Sequence, residues 1–363
     1  MRLSRLSVLL MVSAALPLAA CGSPDQEKSA VPGQQASAPS AAPGVFTREQ
    51  IENGLPAAAP AAAPAPASAS QPAGQTPATG QTQTPPDAGL LRLQILLDRA
   101  GFSPGEIDGL PGENTRLAIA EYRKAKDLGS GDAADAGLIQ SLTAADAAPV
   151  TAEYRLTQAD VSGPFSPPPG ADLAEQAKAG TQYSTARERL AERFHISEAL
   201  LQALNPGVDF RAAGATILVP ALRETALPAV ARIEVDKTDR AVRAFDASGT
   251  LVAYFPATIG SGDNPTPSGS LTVVGVAPRP DYLYDPSRLS FGKGGEKVVV
   301  PAGPNNPVGA VWIDLSRDTY GIHGTPDPSK VGKTASHGCV RLTNWDAQKL
   351  AAAVKPGVTV RFV

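Results

Sequence analysis

Ser336-His337-Gly338-Cys339-Val340-Arg341-Leu342 is the stretch around which this chain of 363 residues is organised. The sequence holds only two cysteines and three histidines, and one of each stands here, two positions apart. A second histidine, His323, lies upstream within Ile322-His323-Gly324-Thr325, while His195 and Cys21 are remote in sequence. A thiol with an ordinary pKa of about 8.5 is mostly protonated at neutral pH, and an imidazole touching it can take the proton and leave thiolate–imidazolium. Such a pair commonly needs a third group that fixes the ring. His337 is close, and residues two apart in an extended segment point to one side. His323 must be delivered by the fold, with Gly324 leaving room beside it. Spacing does not choose between the two. Gly338 would let backbone N–H groups approach an oxyanion closely. Zinc is the competing reading of Cys plus two His, but no further Cys or carboxylate stands at a familiar ligand spacing.

Around this stretch, residues 231–363 have the texture of strands. Alternating runs at 232–235, 241–245 and 251–255 are split by the turn Asp246-Ala247-Ser248-Gly249, and further strands are predicted at 271–276, 297–300, 311–315 and 358–363. Residues 263–269 read as a rigid Pro-containing loop. Residues 346–354 are the one clear helix. The segment is long enough for its own core, and strands dominate it.

Upstream the organisation is modular. Lys178 to Pro220 reads as helix, helix, strand: Leu190 and Phe194 share one face, Ser197 caps the second helix, and residues 216–219 form the strand. His195 sits inside this unit and is assigned no chemistry. Order begins near Leu90, where Leu93, Leu96, Leu97 and Ala100 mark one helix face that Gly101 ends. Asn114 or Thr115 is expected to cap a second helix, and residues 138–142 to add a third. Residues 22–87 are rich in Ala, Pro, Ser, Gln and Gly and read as a disordered tether that cannot bury enough apolar surface to offset ordering. Phe46, Ile51 and Leu55 form an island of near-helical spacing inside it, read as chance in preference to a docking segment. Arg2 and Arg5 followed by an apolar run and Ala19-Ala20-Cys21 describe an export signal and not a membrane span. With a net charge of −3 there is no basic field for nucleic acid.

Four resemblances refine this reading. Leu18-Ala19-Ala20-Cys21 resembles a bacterial lipobox, which implies a signal over 1–21, lipid on Cys21, and a cell-envelope location anchored to a membrane, the outer one where the host has one. Leu93-Gln94, Gly101-Phe102, Gly105, Ile107-Asp108-Gly109, Thr115 and Ala118-Ile119 resemble the peptidoglycan-binding helical domain, giving a domain at 88–145. Leu204-Asn205-Pro206 and Val219-Pro220 resemble a degenerate LysM module at 178–220, whose usual opening strand survives only as Tyr183. Finally, the His323 and Cys339 motifs, together with Gly260, Thr266-Pro267-Ser268-Gly269, residues 303–309 and Asn344, resemble the bacterial L,D-transpeptidases.

The last resemblance implies a mainly β catalytic domain at 231–363, a sheet or sandwich with one clear helix, behind a small α-helical domain and a small α/β module. It implies Cys339 as nucleophile, His323 as base and the Gly324 carbonyl as its orienter. Backbone N–H groups of His337, Gly338 and Cys339 would form the oxyanion hole, and Ser336 and Arg341 would meet substrate. No metal or organic cofactor is required. The partners implied are peptidoglycan stem peptides and glycan, with 3→3 cross-links as product. Water, or a lysine of an outer-membrane protein destined for the wall, are alternative acceptors, and a non-catalytic wall-binding lipoprotein is the alternative from another class.

Overall fold

The computed structural model describes residues 44–56, 85–170, 172–223, 225–262, 265–287, 296–336 and 338–363. The segment read as an export signal, with Cys21, most of the segment read as a tether, and His337 lie outside the described residues. The first half of the chain contains α1 (Arg48–Asn53), α2 (Ala88–Arg99), α3 (Glu113–Ala125), α4 (Ala136–Ala145), β1 (Thr151–Arg155), α5 (Gln158–Val161), α6 (Leu173–Ala179), α7 (Ala186–Arg193), α8 (Glu198–Leu204) and β2 (Thr216–Pro220). One continuous cluster of buried side chains, from Ile51 to Val219, serves all of it.

Three features differ from the sequence reading. Residues 44–56 are ordered. Thr47 and Gln50 close a reciprocal capping box on α1, Ile51 is fully buried, and Glu52 accepts the Val150 and Thr151 N–H groups, each at 2.9 Å. A buried Ile contributes about 2–3 kcal/mol, and a carboxylate holding two amides adds to it, so six residues suffice to dock. The expected caps of α3 are engaged elsewhere: Asn114 donates to Val331 O at 3.0 Å and Thr115 accepts from Gln94 at 3.2 Å, which leaves Gly112 at the N-cap without a side-chain bond. The strand that pairs with β2 is β1, antiparallel with Thr151 opposite Pro220. Tyr183 lies outside any strand.

The C-terminal part contains β3 (Arg232–Asp236), β4 (Ala241–Phe245), β5 (Leu251–Pro256), β6 (Ile259–Gly260), β7 (Gly269–Pro278), β8 (Tyr282–Tyr284), β9 (Val298–Val300), β10 (Val311–Leu315), β11 (Gly321–His323), a 3-10 turn at Pro328–Lys330, β12 (Ala335–Ser336), β13 (Val340–Arg341), α9 (Asn344–Ala353) and β14 (Thr359–Phe362). Eight strands run in the order β13-β11-β10-β7-β14-β3-β4-β5. The long strand β7 turns the corner: residues 269–272 pair with β14, and residues 273–278 pair with β10. The two edges then meet. Thr258, just beyond β5, exchanges backbone hydrogen bonds of 2.9 and 2.8 Å with Arg341 of β13. The sheet thus curls around its own core, in which Ile233, Val242, Phe255, Ile313, Ile322 and Val360 are fully buried.

Strands β4 and β5 are covered on both faces. Val242, Ala244 and Phe255 face the sheet core, while Ala241 and Tyr254 join the core of the helices. Arg243, 6% exposed, leaves the same face as Ala241 and binds Glu121 of α3 at 2.8 Å and Asp236 at 2.7 Å. A backbone bridge reinforces this seam, with Ser103 N donating to Tyr254 O and Tyr254 N to Gly101 O, both at 2.9 Å.

A second seam is ionisable. His195 stacks on Trp345 of α9 with centroids 4.9 Å apart and sets Nδ1 3.2 Å from Asp98. Burial acts to raise the Asp98 carboxyl, but His195, Lys349 and Arg99 together outweigh it and hold Asp98 below the ordinary value. Asp346, 1% exposed and bonded by Ser103 Oγ at 2.8 Å, is pushed up to about 7 by burial and then by the charge of Asp98. The folded chain therefore keeps a proton that the unfolded chain releases above about pH 4. This contribution to stability is complete below that pH and is lost as pH rises toward 7. Asp346→Asn is expected to change stability little at pH 4 and to raise it at pH 8 by about 1–3 kcal/mol. Urea melts at the two pH values read the difference, and an equal shift at both would place the effect in packing and not in the proton.

Candidate active site

The site is built on the shortest strands of the sheet. β11 and β13 run parallel with Ile322 opposite Val340 and His323 opposite Arg341. Ile322 and Val340 turn into the core, so the alternation of side chains sends His323, Arg341 and Cys339 to the other face. Cys339, the residue before β13, falls beside Gly321 and diagonally across from the imidazole. On the other side of β11, Trp312 of β10 sits opposite His323 and stacks on its ring at 5.3 Å. A Cβ at Gly321 would collide with the Trp312 ring, so that position has to be glycine.

His323 is 3% exposed and its Nδ1 lies 2.7 Å from the carbonyl of Gly324. A carbonyl only accepts, so Nδ1 carries the hydrogen and Nε2 keeps its lone pair. Burial, and then the nearby Arg341 guanidinium, push the imidazolium down to about 3, which leaves the ring neutral at physiological pH. Burial likewise pushes the Cys339 thiol up, against smaller opposing effects of the Gly321 backbone and Arg341. Both shifts favour a neutral thiol and a neutral imidazole at rest over an ion pair. The sulfur lies 3.4 Å from Thr319 O. Thr319 has φ +67°, an uncommon conformation for a β-branched residue and a strained way to aim a carbonyl.

The loop carrying the sulfur is clamped from within. Ser336, 4% exposed, donates from Oγ to Cys339 O at 2.6 Å and accepts Gly338 N–H at 3.1 Å. Its hydroxyl thus braces the loop from within. The N–H of Gly338 is likewise occupied and unavailable to an oxyanion in this state. Thr266 Oγ1 donates to Gly338 O at 3.0 Å. Gly338 has φ +116°, and a Cβ there would lie 3.1 Å from the Tyr320 ring, so the position favours glycine on both counts.

Asn344, the first residue of α9, ties the loop beside His323 to the rest of the molecule. Its Oδ1 accepts Ala310 N–H at 2.9 Å, and its Nδ2 donates to Pro304 O at 3.1 Å and to both carboxyl oxygens of Glu192, at 3.0 and 3.1 Å. The same side chain fills the space where Gly309 and Gly324 lack a Cβ. Burial pushes Glu192 up to about 8. Thr319, Trp312 and Glu192 were not singled out in the sequence. Glu192 lies in a charged run on α7 that looks solvated, and only the fold shows otherwise.

His323, Gly324, Gly338, Cys339, Arg341 and Ser336 thus share one corner of the sheet, while His337 and Cys21 lie outside the described residues. Among the described residues no three His, Cys, Asp or Glu side chains are grouped as a metal ion would need. No helix among them is long and apolar enough to cross a membrane.

Residues 230–362 match the YkuD family, described as the L,D-transpeptidase catalytic domain. Among relatives named as L,D-transpeptidases, YkuD of Bacillus licheniformis is 34% identical over 177 residues, covering 48% of this chain and 90% of that protein. YkuD of Bacillus subtilis is 27% identical, covering 52% and 97%. L,D-transpeptidase 3 from Mycobacterium tuberculosis, in complex with a faropenem-derived adduct, aligns with a TM-score of 0.31 at 17% identity, over 41% of this chain and 74% of that one. With 34% identity over nine-tenths of a relative so named, and a thiol and an imidazole on one face of its curled sheet, the chain belongs to the L,D-transpeptidase family, a family of cysteine-dependent acyltransferases.

Proposed function

We propose that the protein forms 3→3 cross-links in peptidoglycan through a thioester on Cys339. The observation that carries this reading is the imidazole of His323, held neutral with Nδ1 on the Gly324 carbonyl and on the same face of the β11–β13 ladder as the sulfur. Rotation of the thiol away from Thr319 O brings its proton to Nε2 as the sulfur attacks the carbonyl carbon of the third residue of a stem tetrapeptide. The ion pair forms only then, which suits a site whose burial disfavours both charges at rest. The proton passes to the nitrogen of the departing D-Ala as the C–N bond breaks, and the acyl group remains on sulfur. The side-chain amine of a second stem peptide then attacks the thioester and restores the thiol. The cleaved amide supplies the energy for the new one, so no nucleotide is needed. With Gly338 N–H held by Ser336, the N–H groups of His337 and Cys339 are the ones assigned to the oxyanion.

The remainder of the chain serves placement. A lipid on Cys21 anchors the protein in the cell envelope, and the tether lets the folded part reach the wall. Residues 88–145 act as a wall-binding module, and residues 178–220 serve either sugar binding or a structural role. The strand that pairs with β2 is β1, which precedes the 178–220 segment and is separated from α7 by α5 and α6.

Intact-mass measurement tests the reading directly. Incubation with a disaccharide-tetrapeptide is expected to give an adduct on Cys339 equal to the donor minus D-Ala, discharged by an amine-bearing stem peptide into a dimer. Discharge by water alone would make the protein a carboxypeptidase, and discharge only by a protein lysine would make it an attachment enzyme. No adduct at all would leave only the tethering role.

A further inference from the structure

The catalytic corner is completed by a segment that lies outside residues 230–362. Between α5 and α7 the chain leaves the helical half and runs against the loop at 301–307. The attachment is built and buried: Gln176, 7% exposed, donates to Asn305 O at 2.7 Å, and Thr181, 1% exposed, bonds Pro301 O and accepts Asn305 N–H, both at 2.9 Å. A cleft of about 330 Å³ results, with Pro169, Leu173 and Gln176 on one wall and Thr325, Lys330 and Arg341 on the other. Thr325 follows the turn that orients His323, and Arg341 shares a strand face with Cys339, so the cleft adjoins the reacting sulfur.

The charges in the cleft are unbalanced at one point. Lys330 is neutralised by Asp327 at 2.6 Å. Among the described residues Arg341 has no carboxylate partner: its Nε is buried without a hydrogen bond, and the groups that act on its charge are Cys339 and Tyr282. A guanidinium withdrawn from water without a counter-charge is costly, and its fork of donors matches a carboxylate. Leu173 and Pro169 opposite it offer an apolar surface for the carbon skeleton that such a group would bring.

We propose that this cleft is a substrate subsite in which Arg341 binds a free carboxylate of a stem peptide while Pro169, Leu173 and Gln176 form its far wall. The inference rests on the transpeptidase reading and adds that the helical half of the chain sets substrate specificity. The carboxylate can belong to the donor or to the acceptor, and the two steps of the reaction separate them.

The test uses the full chain and two pairs of synthetic stem peptides, each with the third residue's side-chain carboxylate free or as the primary amide. Acyl-enzyme formation reads the donor, and discharge of the thioester reads the acceptor. In one of the two steps the wild type is expected to prefer the acid about tenfold, the usual range for a charge-assisted hydrogen bond to a buried group. Arg341→Gln should bring that ratio close to one. Gln176→Ala, which releases the far wall and leaves the charge in place, should shrink the ratio several-fold with the effect falling on KM more than on kcat. If the wild type acylates and discharges acid and amide alike in both steps, or Arg341→Gln keeps the preference, the subsite is refuted while the enzyme reading stands. If no peptide acylates Cys339, the enzyme reading fails and the subsite with it.

Discussion

Cys339→Ala is expected to remove acyl-enzyme and cross-linked dimer altogether, a loss of at least about 10⁴-fold of the kind seen when a catalytic nucleophile is deleted. The substitution is mild for the fold. It deletes one sulfur atom whose thiol donates a weak hydrogen bond to Thr319 O at 3.4 Å, a contribution of about 1 kcal/mol or less. Thermal melting should therefore stay close to the wild type, and binding to intact sacculi, proposed for residues 88–145, should persist. Cys339→Ser sharpens the argument. A hydroxyl keeps the shape and the contact to Thr319 but is a far weaker acid than the thiol. A buried imidazole whose conjugate acid sits at about 3 is too feeble a base to activate it. The serine variant should be nearly as inactive as the alanine one. Dimer formation by either variant at a tenth of the wild-type rate or more would show that the chemistry runs elsewhere.

What the sequence could reveal followed the length of each pattern. β3, β4, β5 and β10 alternate over five or six residues between turn signals, and their predicted spans fall within a residue of the observed ones. β6, β11, β12 and β13 are two or three residues long, too short for a period to register. These are the strands that carry the site, because a curled sheet closes through brief pairings at its edges. The residues of the nucleophile and base motifs were legible from scarcity and family pattern, but their placement was not: parallel pairing of β11 with β13 is a long-range fact that no local signal encodes. The same limit hid α1, where a single Ile51 and a docking carboxylate do the work of a longer apolar stripe. It also hid Glu192, whose burial is decided by the approach of Asn344 from 152 positions along the chain. The segment at Pro169 to Gln176 reads locally as a Pro-rich connection followed by a short polar helix, and only its contact with Asn305 marks it as a wall of the site.

His323→Gln should slow acylation by about 10²- to 10⁴-fold, the usual contribution of a positioned general base. It should do so more severely than the same change at His337, since His323 has Nδ1 held by the Gly324 carbonyl and Nε2 directed by that bond. A larger loss on replacing His337 would reassign the base. The pH dependence gives a second, independent reading. With its folded value lowered to about 3 by burial and Arg341, the ring stays neutral well below the ordinary histidine range, so the acid limb of acylation should not appear near pH 6.5. The same shift has a stability counterpart of defined sign. Between about pH 6.5 and 3 the unfolded chain binds a proton at this histidine that the folded chain refuses, so stability is lost as pH falls through that window. Glutamine takes no proton in either state. The variant should therefore lose less stability between pH 7 and pH 4 than the wild type, by roughly 2 kcal/mol for a side chain this deeply enclosed. Packing differences enter both pH values equally and cancel in the comparison, which urea melts at the two pH values deliver. A wild type and variant that weaken in parallel would mean that the ring is not held neutral. The neutral-pair mechanism would then give way to a preformed thiolate–imidazolium.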